Sequence, residues 1–194
     1  MDFDYPPGAT PLDPDEIEGL LLSHITNRSE IDRWEQDNIM EAELWAFRRK
    51  PTDILSAKYV CLLHKRMFEN VWRWAGEFRR TGKNIGVEPW LIGSSLKNIL
   101  EDVRFWIDEK IYPADEIAAR FHHRLVSTHL FANGNGRHAR LIADLLLVHI
   151  LGRSRFTWGS ENLVQAGECR QQYIDALQNA DRRDYEKLLR FVRS

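Results

Sequence analysis

The chain has 194 residues, 43% of them hydrophobic, and a formal net charge of −2, which predicts one domain with a full core and a short extension. Its pI of about 6.4 argues against a surface that binds nucleic acid directly. Cys61 and Cys169 lack metal-ligand spacing and residues 1–7 do not resemble a signal peptide, so we expect a cytoplasmic protein with reduced thiols.

Residues 1–54 form the first predicted region, an arm followed by helices. Four prolines among the first 14 residues favour an extended chain. A short helix is expected near residues 14–22. Apolar residues at helical spacing predict a longer helix over residues 29–49.

The second predicted region, residues 55–194, is mainly helical. Residues 76–92 differ, because glycines and a proline interrupt their apolar residues, a pattern typical of an irregular β-hairpin. Apolar periodicity and capping residues predict a helix from about Thr52 or Ser56 to Asn70 and another over 94–109. Asp115 is expected to cap the helix that leads to His129. Further helices are predicted for the run that ends near 151 and over about 161–179 and 182–192.

A distinctive segment, residues 129–140, reads HLFANGNGRHAR and precedes an apolar run, residues 141–151. The run contains Asp144 and is too short to span a membrane, so it predicts a buried central helix. Gly134 and Gly136 allow backbone N–H groups to approach a ligand closely at the start of this helix. A helix start of this kind favours an anion.

Three side chains in the same segment have the chemistry for a phosphate ester. Arg137 and Arg140 lie one helical turn apart and face one side, where both can hold phosphate oxygens. His129 lies just before the turn and can move a proton near neutral pH. Each feature alone is more often structural, as in a plain turn or a solvated face. Their order at one loop-to-helix junction favours a phosphate site.

This segment resembles the signature of Fic (Fido) proteins, H-P-F-x-[D/E]-G-N-G-R-x-x-R, with Leu130 in place of proline and Asn133 in place of the acidic residue. The resemblance extends over roughly residues 55–194. The asparagine and the N-terminal stretch are most similar to a branch called mobile mystery protein B, which is associated with mobile elements. The resemblance implies a mainly α Fic/Fido domain with a small β-hairpin flap.

In this family the flap binds a target segment by adding a strand. The reaction that the resemblance implies is transfer of AMP from ATP to a Ser, Thr or Tyr hydroxyl of a target protein, with His129 as the general base. Target docking is then expected from Arg80, Ile85, Gly86 and Val87. Nucleotide binding is expected from Asn133, Gly134, Asn135, Gly136, Arg137 and Arg140.

Asn133 is the position where the family's acidic residue holds Mg²⁺. An amide oxygen is a poorer ligand than a carboxylate, so we expect weak binding of Mg²⁺ or Mn²⁺ and a slower enzyme. Two alternatives stay open. One is a non-catalytic module that binds nucleotide and a partner, and the other is a Fic transferase with another donor, such as UTP or CDP-choline.

A self-inhibitory helix, with the pattern [S/T]-x-x-x-E-[G/N], occurs in many Fic proteins. Glu18-Gly19 supplies its last two letters, and we expect Glu18 to pair with Arg140, although an ordinary surface glutamate fits equally well. A second match at Glu161-Asn162 is set aside, because Ser160 reads as the N-cap of the next helix. The resemblance also allows for a homodimer and for a small DNA-binding partner protein.

Overall fold

The computed structural model describes residues 11–22, 25, 27–48, 51, 53–160, 163 and 167–194. Short 3-10 turns lie at Pro89–Leu91 and Trp158–Ser160. The α-helices of these residues are α1 (Pro14–Ile17), α2 (Arg28–Arg48), α3 (Ala57–Phe68), α4 (Ile92–Asp108), α5 (Ala114–Thr128), α6 (Asn135–His149), α7 (Glu168–Asp181) and α8 (Glu186–Val192).

The mainly α prediction is confirmed, and most helix positions agree with the sequence pattern. Ser56 caps α3 by accepting the N–H of Tyr59 at 3.2 Å. Asp115 was expected to cap α5, but Pro113 takes that position and the Asp115 carboxylate binds Arg193 at 2.5 Å. The start of α7 at Glu168 is later than expected.

Parts of two predictions lie outside the described residues. Residues 1–10, which make up most of the predicted arm, are among them. So are residues 161, 162 and 164–166, which include the second inhibitory match. The boundary between residues 54 and 55 stays a prediction.

The helix α6 lies at the centre of the molecule, packed along α5 and in contact with α2 and α3. From His138 to Leu147 all of its residues except Arg140 are buried, which confirms the predicted central helix. A larger apolar cluster lies among α2 to α6, and a smaller one joins α5 and α6 to α7 and α8. This packing holds the start of α6 rigidly in place.

The segment around α1 packs on the chain that follows α3. A buried carboxylate, that of Glu16, accepts from Lys83 at 2.5 Å and from Thr81 at 3.0 Å. The backbone carbonyl of Glu16 accepts a hydrogen bond from the Trp74 indole at 2.9 Å. These contacts attach the N-terminal segment to residues 76–92, which we call the flap.

The flap contains no β-strand, although the structure describes all of its residues. The N–H of Arg79 donates to Leu130 at 3.0 Å, and that of Val87 donates to Thr128 at 3.2 Å. The backbone N–H groups on the two sides of the flap therefore bond to the end of α5 and the loop after it, and do not form a ladder with each other. The expected β-hairpin is not confirmed, and the flap is an irregular loop.

Membrane insertion is a separate question. Among the helices of the described residues, none combines the length and the apolar character needed to cross a membrane.

Candidate active site

His129 ends α5 in the left-handed conformation, with φ of 55°. Its N–H donates to the Leu125 carbonyl at 3.1 Å, and its own carbonyl accepts from Nε of Arg79 at 2.6 Å. The side chain is buried, and neither ring nitrogen has a hydrogen-bond partner. Buried polar atoms are rarely left without a partner, so this imidazole is available to a group that enters the site.

The environment of His129 keeps its imidazole neutral. Burial, with the positive charges of Arg79 and Lys83, lowers the pKa of His129 from 6.5 to about 4. At pH 7 the ring is therefore in the form that accepts a proton. A polyanionic ligand beside these cations would raise this pKa again.

Two side chains shape the loop between α5 and α6. The amide of Asn135 bonds both backbone groups of Phe131, accepting its N–H at 2.9 Å and donating to its carbonyl at 2.7 Å. His64 accepts the N–H of Gly76 at Nδ1, so Nε2 carries the proton and donates to the Asn133 carbonyl at 3.0 Å. The His64 ring also stacks on Phe131, with centroids 3.7 Å apart. The loop therefore has one fixed shape.

The start of α6 is built around Gly134. This residue has φ of 77°, and a side chain there would collide with the Phe68 ring. The first intrahelical bond runs from the N–H of His138 to the Gly134 carbonyl at 2.9 Å. The N–H groups of residues 135–137 belong to the first turn, where a helix supplies no acceptors. We call this helix start, with the two signature arginines, the phosphate cradle.

Both arginines of the cradle already contact protein groups. Nη1 of Arg137 binds the carboxylate of Glu35 at 2.6 Å, and the other oxygen of Glu35 accepts from the Trp72 indole at 2.6 Å. The guanidinium carbon of Arg140 lies 5.6 Å from the centroid of the Tyr173 ring. A third guanidinium, that of Arg170, lies near Arg140. Burial lowers the pKa of Arg170, and the positive charge of Arg140 lowers it too. This side of α6 is strongly cationic.

At the position of the signature's acidic residue, Asn133 offers a Mg²⁺ ion a neutral amide oxygen in place of a carboxylate. The side-chain oxygen of Asn133 accepts the N–H of Gly134 at 2.5 Å, so one of its two lone pairs is engaged within the loop. In the part of the chain that the structure describes, no three His, Cys, Asp or Glu residues are grouped to hold a metal. Mg²⁺ is usually bound through one or two carboxylates.

The flap closes over His129. A Cβ at Gly86 would lie 2.7 Å from the His129 Cβ, so only glycine allows this approach. Val87 bonds the end of α5, whereas Arg80 and Ile85 are exposed. Of the four expected docking residues, Gly86 and Val87 thus lie against the site, and Arg80 and Ile85 face solvent.

The structure does not bring Glu18 and Arg140 together. Glu18 is exposed at the C-terminal end of α1. Its neighbour Glu16 points inward instead, because Lys83 and the N–H of Asp13 take its carboxylate. A signature arginine, Arg137, instead binds the carboxylate of Glu35 on α2.

Sequence reasoning did not identify several residues of this site. Glu35 is a charged residue within the apolar stripe of α2, between Ile31 and Ile39, and that position was a usable signal. The roles of Arg79 and Tyr173 depend on contacts across helices, and no local pattern marks them.

The sequence profile of the Fic/DOC family matches residues 54–147. The chain is 31% identical over 151 residues to "Protein adenylyltransferase fic-1" of Caenorhabditis elegans and 27% identical over 144 residues to "Protein adenylyltransferase Fic" of Aedes aegypti. These alignments cover 74% and 72% of this chain. The chain spans only 27% of the length of either relative.

A solved structure is similar over nearly its whole length. It is the BepC protein of Bartonella tribocorum with bound AMPPNP, with a TM-score of 0.69 and coverage of 93% of this chain and 97% of that one. At 15% identity the likeness concerns the fold. The mobile mystery protein B branch stays a prediction. From the signature, the fold and these relatives, we conclude that the chain carries a Fic domain of the Fic/DOC family.

Proposed function

We propose that this chain is a protein adenylyltransferase, which moves AMP from ATP to a hydroxyl side chain of a target protein. The observation that carries the proposal is the buried imidazole of His129, whose two nitrogens are unused. The loop that follows it leads directly into an anion-binding helix start. A base in this position suits attack of a hydroxyl on a phosphorus atom.

In the proposed reaction the hydroxyl oxygen attacks the α-phosphorus of ATP, and His129 accepts the hydroxyl proton. The bond from the α-phosphorus to the bridging oxygen breaks, and pyrophosphate leaves with that electron pair. The first-turn N–H groups of α6, with Arg137 and Arg140, hold the phosphates. Their contribution is positioning and electrostatic stabilisation of the charge that develops.

The choice of donor rests on the relatives. Two of them are named protein adenylyltransferases, and the similar BepC structure binds AMPPNP. Asn133 offers Mg²⁺ or Mn²⁺ only a neutral amide oxygen, which also accepts the N–H of Gly134, so we expect weak metal binding by the protein. A metal ion would then enter with the nucleotide phosphates, and the family's acidic ligand would be missing.

We assign restraint of the site to Glu35 rather than to Glu18. The Glu35 carboxylate is fully buried and bound to Arg137, where phosphate oxygens are expected. Two anions compete for one guanidinium, so ATP binds at the cost of this ion pair.

A second candidate function is a non-catalytic module that binds nucleotide and a partner. The observations that favour it are the flap closed over His129 and the amide at Asn133. A transferase with UTP or CDP-choline as donor would use the same residues. A hydroxyl-bearing target, a homodimer, a small DNA-binding partner and a cytoplasmic location stay predictions from the family resemblance.

The test is incubation of the purified protein with labelled ATP, UTP and CDP-choline, comparing wild type with His129→Ala. His149→Ala, at the far end of α6, is the control. We expect label from ATP that requires His129 and survives in the control. Label that survives in His129→Ala would contradict the proposal. Nucleotide binding without label from any donor would favour the non-catalytic module.

A further inference from the structure

The helix α7 supplies a buried hydroxyl to the edge of the phosphate cradle. Tyr173 is 7% exposed. Its hydroxyl lies 3.9 Å from the position that a Cβ would take at Gly136, and Nη1 of Arg140 lies 3.6 Å from the same point. The phenol and the second signature arginine therefore border the same space at the start of α6.

A second buried side chain holds this phenol. The Tyr173 hydroxyl lies 2.9 Å from Nε2 of His122 on α5. Burial keeps His122 neutral, lowering its pKa to about 3. A guanidinium has only donors, so the Tyr173 oxygen serves Arg140 as an acceptor when its own proton points to His122.

We propose that Tyr173, oriented by His122, is a positioning residue that holds Arg140 towards the terminal phosphate of a bound nucleotide. The inference rests on the proposed function, in which Arg140 binds that phosphate. The hydroxyl provides the acceptor that fixes the guanidinium, and the ring provides the face against which it lies. Tyr173→Phe keeps the ring and removes the hydroxyl, which is the acceptor for Arg140 and the donor to His122.

The test measures dissociation constants for ATP, ADP and inorganic triphosphate in wild type and in Tyr173→Phe. Loss of a hydrogen bond that involves a charged group predicts a fall of about ten- to a hundredfold in affinity for ATP and triphosphate. ADP lacks the terminal phosphate, so its affinity is expected to change less than about twofold. In an Arg140→Gln background the substitution is expected to have no further effect.

The matched control is Tyr185→Phe. The Tyr185 hydroxyl bonds Nδ1 of His123 at 3.0 Å, the same kind of pair one residue along α5. It is expected to leave all three affinities unchanged, which separates a local role from general loss of packing.

Four results would overturn the inference: unchanged affinities in Tyr173→Phe, equal loss for ATP and ADP, a loss that persists without Arg140, or a wild type that binds neither ATP nor triphosphate. Transfer of AMP is measured separately. Selective loss of ATP affinity without any transfer would keep the inference and remove the proposed function. If wild type transfers AMP and Tyr173→Phe keeps all three affinities, the proposed function stands and the inference about Tyr173 is overturned.

Discussion

At the scale of single residues, the Glu35 carboxylate contacts the arginine that the proposed reaction requires for phosphate. It is fully buried and accepts hydrogen bonds from Arg137 and from the Trp72 indole, each at 2.6 Å. Hydrogen bonds to charged groups are the stronger ones in proteins. A nucleotide must therefore displace this carboxylate or share the guanidinium with it.

We predict that Glu35→Gln strengthens ATP binding by about tenfold, because a charge-assisted bond is worth roughly 1.5–3 kcal/mol. The glutamine keeps an oxygen for Trp72 and removes the anion from Arg137. Isothermal titration calorimetry with ATP measures the change. Glu41→Gln, on an exposed position of the same helix, is the control. Weaker ATP binding in Glu35→Gln would show that Glu35 positions Arg137 instead of restraining it.

The residues of the signature could be predicted because they are contiguous. The segment places glycines, a histidine and two arginines at one loop-to-helix junction, and their spacing favours a phosphate site. The Glu35–Arg137 contact joins positions 102 residues apart, and the Arg79–His129 contact joins positions 50 apart. Such pairs depend on how helices pack, and one sequence does not encode that locally.

At the scale of elements, one guanidinium, that of Arg79, bonds the flap to His129 at the end of α5. Nε of Arg79 donates to the His129 carbonyl at 2.6 Å, and its other nitrogens donate to the carbonyls of Thr81, at 2.8 Å, and Val87. Carbonyls that a β-ladder would use are occupied by this side chain. This explains why the alternating pattern of the flap predicts a hairpin and the structure has a loop.

The fit of the flap against His129 depends on Gly86, whose φ is +101°. We predict that Gly86→Ala lowers AMP transfer at least about tenfold while ATP affinity stays within about twofold. Alanine is strained at this φ, and its Cβ would push the flap and Arg79 away from His129. Transfer rates and ATP affinity are measured on the same preparations.

Gly82→Ala is the matched control, because a Cβ at Gly82 meets no atom within 4 Å. It is expected to retain wild-type transfer. Unchanged transfer in Gly86→Ala would show that the close approach of the flap has no part in the reaction.

The helices were more predictable than the flap. Apolar spacing located α2 and α4 to within about two residues, because each buries one side along most of its length. The one-turn α1 was expected to be longer. Its contacts with the flap, rather than its own periodicity, determine where it lies.

At the scale of the whole molecule, the core contains buried neutral histidines. Burial is the main cause that lowers the pKa of His122 to about 3 and the pKa values of His129 and His138 to about 4. Between pH 6.5 and these pKa values, each of the three imidazoles binds fewer protons in the folded state than in the unfolded state. Stability is therefore complete above pH 6.5 and is lost as the pH falls through this range.

We predict that the free energy of unfolding falls by several kcal/mol between pH 7.5 and pH 5.5, because these three histidines, and His64 and His123 whose pKa values burial also lowers, bind protons more readily in the unfolded state. Urea denaturation at both pH values measures it. His138→Gln is expected to reduce the difference by one histidine's share. A free energy of unfolding that does not depend on pH in this range would contradict the burial of neutral histidines.

The reaction we propose breaks a bond at the α-phosphorus of ATP. It is tested most directly by supplying ATP labelled at the α-phosphorus or at the γ-phosphorus and following label onto protein, in wild type and in His129→Ala. We predict transfer of the α-label alone, and none from either in His129→Ala. Transfer of the γ-label would show that the cradle directs a different phosphorus atom to the hydroxyl and would contradict the account.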